Sequence, residues 1–530
     1  MDLDLGGSLM ADSHANHYNP RTSLVVHHLL TTSELIRCDI GQVTTIEVLS
    51  DRVLLAIFDF HVVKDQDFYT SRDAPGIDIS NPNIRVTAVW WQPLVHVCRR
   101  WRDLIFGSHH RLNLQLYCTP ETLSRKTLNV WPALPLIIQD SSSDTPVDDL
   151  VSALDHSNRI CQIDFSHHYL TTSQIEKVWA AMQVPFPELT ALLLYSYHSP
   201  SETGPVLPES FLGGSAPRLR YLTFFHIPFP GLQKLLLSAT HLVELHLYEV
   251  PHSVYISPEE MVTCLSVLTS LERLSLLFES PQSRPDQESR PYASPRPTRS
   301  VLPTLIAFWF NGANEYLEDL LARIDAPRLH RLWIIFFDDT FFDTPQLIQF
   351  IGRTLTFKPS NEAHVGFRIE AALFILRSLA SNFEEVQVWI SCREPDRQLS
   401  ALAQICTLFL RFLSTTETLY IEEFDLGVDW KDDIENTKWL QLLLPFTAVK
   451  NLYLSKQFAP RVAPALQEFT GGRMTEVLPT LQNIFLEGFQ PLESVQEGIG
   501  HFISGRQLTN HPITISSWDR DPPQIIWDDD

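Results

Sequence analysis

Leu242-Val243-Glu244-Leu245-His246-Leu247 and Leu271-Glu272-Arg273-Leu274-Ser275-Leu276 share one pattern: apolar, two variable residues, apolar, one variable, apolar. Alternation across the last positions marks a strand with one buried face. The pattern returns at Leu189/Leu192/Leu194, Leu219/Leu222/Phe224, Leu305/Phe308/Phe310 and Leu329/Leu332/Ile334. It continues at Phe383/Val386/Val388, Thr416/Leu419/Ile421, Val449/Leu452/Leu454 and Leu481/Ile484/Leu486. Starts lie about 23 to 34 residues apart up to Leu329 and about 32 or 33 apart from Phe383 onward. The longer step between them predicts a weaker repeat near Phe367-Arg368-Ile369. Helix-like stretches such as Pro230–Leu237 and Pro258–Leu265 separate the strands. Each such unit has an apolar side that only its neighbour can cover, so the units fold together.

Self-similarity at this period is a solenoid signature, and the strand pattern resembles the strand half of a leucine-rich repeat. The expected fold class is therefore α/β, an irregular leucine-rich-repeat solenoid with a curved parallel sheet over residues 111–512. The asparagine or cysteine usual after the third apolar position is mostly missing, so a looser α/β arrangement of parallel strands and crossover helices stays open. Arg111–Tyr117, Trp131–Ile138 and Ile160–Phe165 read as three leading strands. Residues 280–300, rich in Pro, Ser and Arg, read as a flexible insertion. Residues 513–530, with Trp518, Trp527 and a closing Asp528-Asp529-Asp530, read as a cap on the last repeat or a free acidic tail.

Reading the strands by period two assigns Leu193, Thr223, His246, Ser275, Trp309, Trp333, Gln387, Tyr420, Tyr453 and Phe485 to the face turned away from the apolar positions. Tyr195, Tyr221, Tyr248 and Trp389 flank them. Parallel strands lie about 4.8 Å apart, so the rings stack into a patch. Exposed aromatic patches mark recognition sites. Trp309, Trp333, Trp389, Tyr420, Tyr453 and Phe485 are thus the expected surface for an unknown protein substrate. The alternative is that other parts of the chain cover them as a second core.

Ahead of the repeats lie two amphipathic segments, Leu49–Phe58 and Leu94–Leu104. Ser50 or Asp51 can cap the first, and Pro93 suits an early helical position in the second. The Leu-x-Asp-x-Val-Leu-Leu-x-Ile-Phe run and the later Val-Cys-Arg-Arg-Trp-Arg-Asp-Leu resemble the F-box, the helical module of substrate receptors in cullin–RING (SCF-type) ubiquitin ligases. The Trp90–Arg102 string and Val130–Leu136 resemble large F-box sets from mushroom-forming fungi. The resemblance implies docking on the ligase's Skp adaptor through Leu49, Val53, Leu54, Ile57, Phe58, Val97, Cys98 and Trp101. It implies substrate capture by the repeats. Ser50 stands where the family usually has proline, and residues 59–92 lengthen the link between the helices. The expected organisation is a mostly disordered stretch over 1–41, the helical module over 42–110 and the array after it.

With 44% hydrophobic and 19% charged residues, the composition suits a folded chain. A formal net charge of −23 argues against phosphate-backbone binding. The seven cysteines show no CxxC, which fits a reducing compartment. The start lacks a signal-peptide order, and no segment approaches a membrane span, so a cytoplasmic or nuclear location with no membrane partner is expected. No phosphate loop, dinucleotide fingerprint, zinc-protease or nucleophile-elbow motif occurs. The His pairs at 27/28, 109/110 and 167/168 lack converging ligands. No cofactor and no catalysis are expected; the F-box resemblance implies a ubiquitin-ligase substrate adaptor, with a free-standing repeat scaffold or inhibitor, or a hydrolase using paired carboxylates, as alternatives.

Overall fold

The computed structural model describes residues 49–59, 91–118, 132–140, 147–166, 170–196, 205–280, 299–337, 344–354, 361–378, 385–424, 434–468, 476–488, 493–508 and 510–519. The expected disordered stretch 1–41, the inter-helix link 60–90 and residues 281–298 of the expected insertion lie outside them. The chain divides into two compact units, Met1–Ile77 with Val86–Leu114, and Asp78–Arg85 with Gln115–Asp530.

In the first unit, α1 (residues 51–59), α2 (Gln92–Val95) and α3 (Arg99–Gly107) are the described helices. Ser50 caps α1: its carbonyl accepts from Leu54 N–H at 3.0 Å and its hydroxyl from Val53 N–H at 3.4 Å. The second amphipathic segment is not one helix, as its stripe predicts, but two. Cys98 is extended, and its sulfur accepts the Trp101 N–H at 3.5 Å, restarting the helix one residue later. The strand expected at Arg111–Tyr117 is also shorter. Asn113 sits at φ 47°, a left-handed conformation that asparagine tolerates, and the alternation turns into a turn there. Leu112 and Leu114 are buried.

The second unit carries one sixteen-stranded sheet. Its strands are β1 (Leu116–Cys118), β2 (Leu136–Asp140), β3 (Ile160–Ser166), β4 (Ala191–Tyr195), β5 (Tyr221–Phe225), β6 (Glu244–Val250), β7 (Arg273–Phe278) and β8 (Ala307–Gly312). They continue with β9 (Arg331–Phe336), β10 (Glu362–Phe367), β11 (Ala371–Arg377), β12 (Glu385–Ser391), β13 (Thr418–Glu423), β14 (Asn451–Leu454), β15 (Asn483–Glu487) and β16 (Thr514–Trp518). Most repeats enter their strand in the same way. The amide of the leading leucine reaches the carbonyl three residues back, at 3.1 Å for Leu219, 3.0 Å for Leu242, 3.1 Å for Leu271 and 3.2 Å for Leu329. One carbonyl per repeat then accepts two amides of the next, as Arg220 O does from Val243 and Glu244. Thr304 and Thr480, each just before a leading leucine, bond through their hydroxyls to carbonyls of the preceding repeat. The repetition is thus in the hydrogen bonding as well as in the leucines.

Between the strands, helices cover one face. Proline, a capping box between Ser257 and Glu260 and acidic residues in the first turn start the helix Pro258–Val267. The strand residues turned toward the helices are almost wholly buried, and ring contacts tie the layers. Phe165 meets Trp179 at 5.9 Å, Phe310 meets Tyr316 at 5.9 Å and Phe367 meets Trp439 at 6.0 Å. An α/β repeat architecture with a long parallel sheet is therefore the fold.

The order departs from a simple solenoid at one place. After β9 the sheet runs β12, β11, β10 and then β13. β11 is antiparallel to both its neighbours, while β10 and β12 run with the rest. The weaker repeat expected near Phe367–Ile369 is instead the turn of a hairpin, closed by Arg368 N–H to Ala371 O at 2.8 Å. The Ala371–Leu376 run is apolar at successive positions because both sides of β11 are buried, which hides the usual alternation. At the other end, β16 pairs in parallel with β15 and completes the sheet, while residues 520–530 of the expected cap or tail lie outside the described residues.

Candidate interaction surfaces

In the helical unit, internal packing sorts the eight expected docking residues. Leu54 and Phe58 on α1 and Trp101 on α3 are buried, with Phe58 and Trp101 edge-to-face at 5.1 Å. Arg100 holds the start of α1 by an ion pair to Asp51 at 2.6 Å and a bond to Leu49 O at 2.6 Å, and Arg111 pairs with Asp59. These contacts leave Val53 44% and Val97 55% exposed, with Cys98 exposed and Leu49 and Ile57 half-buried. Arg52, Val53, Ala56 and Ile57 line an open apolar depression. Three of the eight residues, Leu54, Phe58 and Trp101, therefore pack within the unit rather than on its surface.

In the array, the strand register places the expected central positions in one row across twelve strands, from Leu193 to Phe485, and across fifteen when extended from Gln139 to Ser516. The hairpin contributes two members that the leucine pattern did not reveal, Ile375 and His364. Along this row the chemistry falls into three stretches.

Over β6–β9, a polar network lies beside two tryptophans. His246 lies between Ser275 Oγ at 2.8 Å and Glu244 Oε2 at 3.3 Å, and Arg273 pairs with Glu244. Burial opposes ionisation of Glu244, but the His246 bond and the Arg273 charge outweigh it and hold the carboxyl below its usual range. The serine–histidine–carboxylate line has the atoms of a nucleophile and its base. Yet Ser275 is 1% exposed and sits in mid-strand, so its hydroxyl joins the strands and has no approach for a substrate. Trp309 and Trp333 meet edge-to-face at 6.2 Å, and the Trp333 indole donates to Glu385 at 3.1 Å. Both indoles are half-buried.

Over the hairpin the face closes. Leu373, Ile375 and Trp389 are buried, with Ile335, Ala371 and Phe424 packed on them. Trp389, expected on the substrate surface, is 6% exposed and donates its indole N–H to Gln387 at 3.1 Å. Its burial has a geometric cause: β11 brings Leu373 opposite Trp389, and Phe424 lies over Gly366 on the same side. A Cβ at Gly366 would fall 1.8 Å from the Phe424 ring, so only glycine fits.

Beyond the hairpin the face opens into a ring stack. His364, Tyr420, Tyr453 and Phe485 follow one another at 4.3, 4.5 and 4.3 Å with planes nearly parallel. The strand spacing and the stacking distance coincide, which is why in-register aromatics stack here. Trp518 leans on the stack, 5.3 Å from Tyr453 and 5.9 Å from Tyr420. Its strand was legible only as the Ile513/Ile515 alternation. Glu422 Oε1 accepts from His364 Nδ1 at 2.8 Å. Burial, then Glu362, Tyr453 and Glu422, push the Tyr420 hydroxyl far up, and burial with Glu362 pushes Tyr453 up. Asn451, Asn483 and Thr514 form a polar ladder along one side, linked at 2.8 and 2.6 Å.

Among the described residues no cluster of three or more metal-binding side chains occurs, and no helix is long and apolar enough to cross a membrane. No protein-family model matches the sequence, and no curated protein matches it. The leucine-rich repeat-containing protein LegL7 from Legionella pneumophila is a structural neighbour at 12% identity and a TM-score of 0.25, over 73% of this chain and 97% of that one.

Proposed function

We propose that this protein is a substrate receptor of an SCF-type ubiquitin ligase, with its helical unit docking on the Skp adaptor and its array holding a protein client. The supporting observation is the division of labour within the helical unit. Leu54, Phe58 and Trp101 complete its interior, yet Val53 and Val97 stay 44% and 55% exposed beside the half-buried Ile57. A unit this small that leaves aliphatic side chains in water is suited to a partner surface. The Trp309/Trp333 pair and the Tyr420–Phe485 stack are the client-facing groups, and tethering a client raises its effective concentration at the transfer enzyme.

The test uses the exposed residues, because aspartate at Leu54 would unfold the unit and mimic lost binding. Val53→Asp with Val97→Asp should leave the melting transition unchanged and reduce co-purification with the Skp adaptor by roughly tenfold or more. Full retention by the double variant, or absence of the adaptor from the wild-type complex, would remove this reading in favour of a repeat scaffold with another partner.

A further inference from the structure

The stack His364–Tyr420–Tyr453–Phe485 ends because the next residue in register, Ser516, has no ring. Phe485 has Tyr453 as its sole ring contact among the described residues, and its other face looks toward Ser516, which is exposed. Ser516 lies on the last strand of the sheet, in register with Phe485, so the position over its small side chain continues the stack by one strand spacing. Trp518 and Glu487 stand in register two residues further on. One oxygen of Glu487 accepts the Lys456 N–H at 2.9 Å. Glu362 and Glu422 add negative charge further along the stack, at Tyr420, whose hydroxyl is pushed up first by burial and then by these carboxylates.

We infer that this open end of the stack receives the guanidinium of an arginine side chain carried by a protein client. The chemistry selects it on two counts. A flat group is needed to continue the stack over Ser516, and a cation is needed to match the Glu487 carboxylate and the ring face. Lysine has the charge without the plane, and a phenyl ring has the plane without the charge. The formal charge of −23 favours approach of a basic partner over the whole chain. The inference specifies the client side of the receptor reading above and rests on the array's role in it, but its assay involves none of the helical unit's residues.

The experiment measures anisotropy of a fluorescent peptide of four Gly-Arg pairs on the full-length chain, beside peptides with citrulline, lysine or phenylalanine replacing arginine. Arginine should bind roughly tenfold tighter than either citrulline or lysine, with the gap to citrulline shrinking at high salt. Ser516→Phe fills the position and should abolish that preference while leaving melting and Skp co-purification unchanged. Glu487→Gln should weaken arginine binding by several-fold and citrulline binding little. Equal binding of the arginine and citrulline or lysine peptides, a preference for phenylalanine, or unchanged arginine binding by Ser516→Phe would each overturn the inference. Lost Skp binding with arginine selectivity retained would instead remove the ligase reading alone.

Discussion

The middle of the array's aromatic face and its two flanks obey the same register but have opposite fates. On the flanks, each parallel strand brings one outward ring, and Trp309, Trp333, Tyr420, Tyr453 and Phe485 remain half-buried. In the middle, the reversed hairpin inserts β11, whose outward side carries Leu373 and Ile375 in place of polar residues. The same geometry that displays a ring on the flanks buries Trp389 there. Display therefore depends on what the neighbouring strand offers, and the residue's own type does not decide it.

The sharpest way to break this contrast is to remove a ring from each region. Trp389→Ala, in the closed middle, should cost about 3–5 kcal/mol and lower the melting temperature by several degrees. A loss under about 1 kcal/mol would mean that the middle is not a core. Gly366→Ala is next, expected to cost about 1–3 kcal/mol because its new methyl must displace the Phe424 ring. Pairing it with Phe424→Ala should cost less than the two changes added, since removing the ring relieves the clash. Additive losses in that double-mutant cycle would place the strain elsewhere.

On the flanks the effects should be smaller and unequal. Tyr453 touches three rings, those of Tyr420, Phe485 and Trp518, whereas Trp309 touches Trp333 and His246. Tyr453→Ala should therefore cost about 1–3 kcal/mol and Trp309→Ala about 1 kcal/mol or less, measured by denaturant unfolding. A Trp309→Ala loss as large as that of Trp389→Ala would erase the distinction between flank and middle.

How much of this was legible follows from the same contrast. The repeats announce themselves because a leucine is needed wherever one unit covers the next, as at Leu245, Leu274 and Leu332, all 0% exposed. Period two then carries the outward row directly, and Trp309 opposite Trp333 and Tyr420 opposite Tyr453 follow from it. The hairpin was hidden because a strand buried on both sides loses its alternation, so Ala371–Leu376 resembles any apolar run. Its reversed order leaves no local trace, because strand order is set by long-range pairing. In the helical unit the apolar stripe was legible but its division was not. Leu54 and Val53 are adjacent aliphatic residues, and only the packing of Phe58 against Trp101 shows that one faces inward and the other out.

The smallest expected effect concerns the polar network under the first flank, and its sign can be fixed. The His246 bond and the Arg273 charge hold Glu244 below its unfolded value near 4.5. The stabilisation they provide is therefore complete above that value and is lost as the pH falls through the lower, folded value. Glu244→Gln keeps the shape, removes the charge and so removes this part of the acid dependence. The variant should be modestly less stable than the wild type at pH 7, and the difference should shrink toward zero as the pH drops below 4.5. The second flank provides the internal control: Tyr453→Phe removes a hydroxyl that stays neutral throughout that range, so its stability difference from wild type should be flat with pH. A Glu244→Gln difference equally flat with pH would mean that the network adds shape to this flank and no charge.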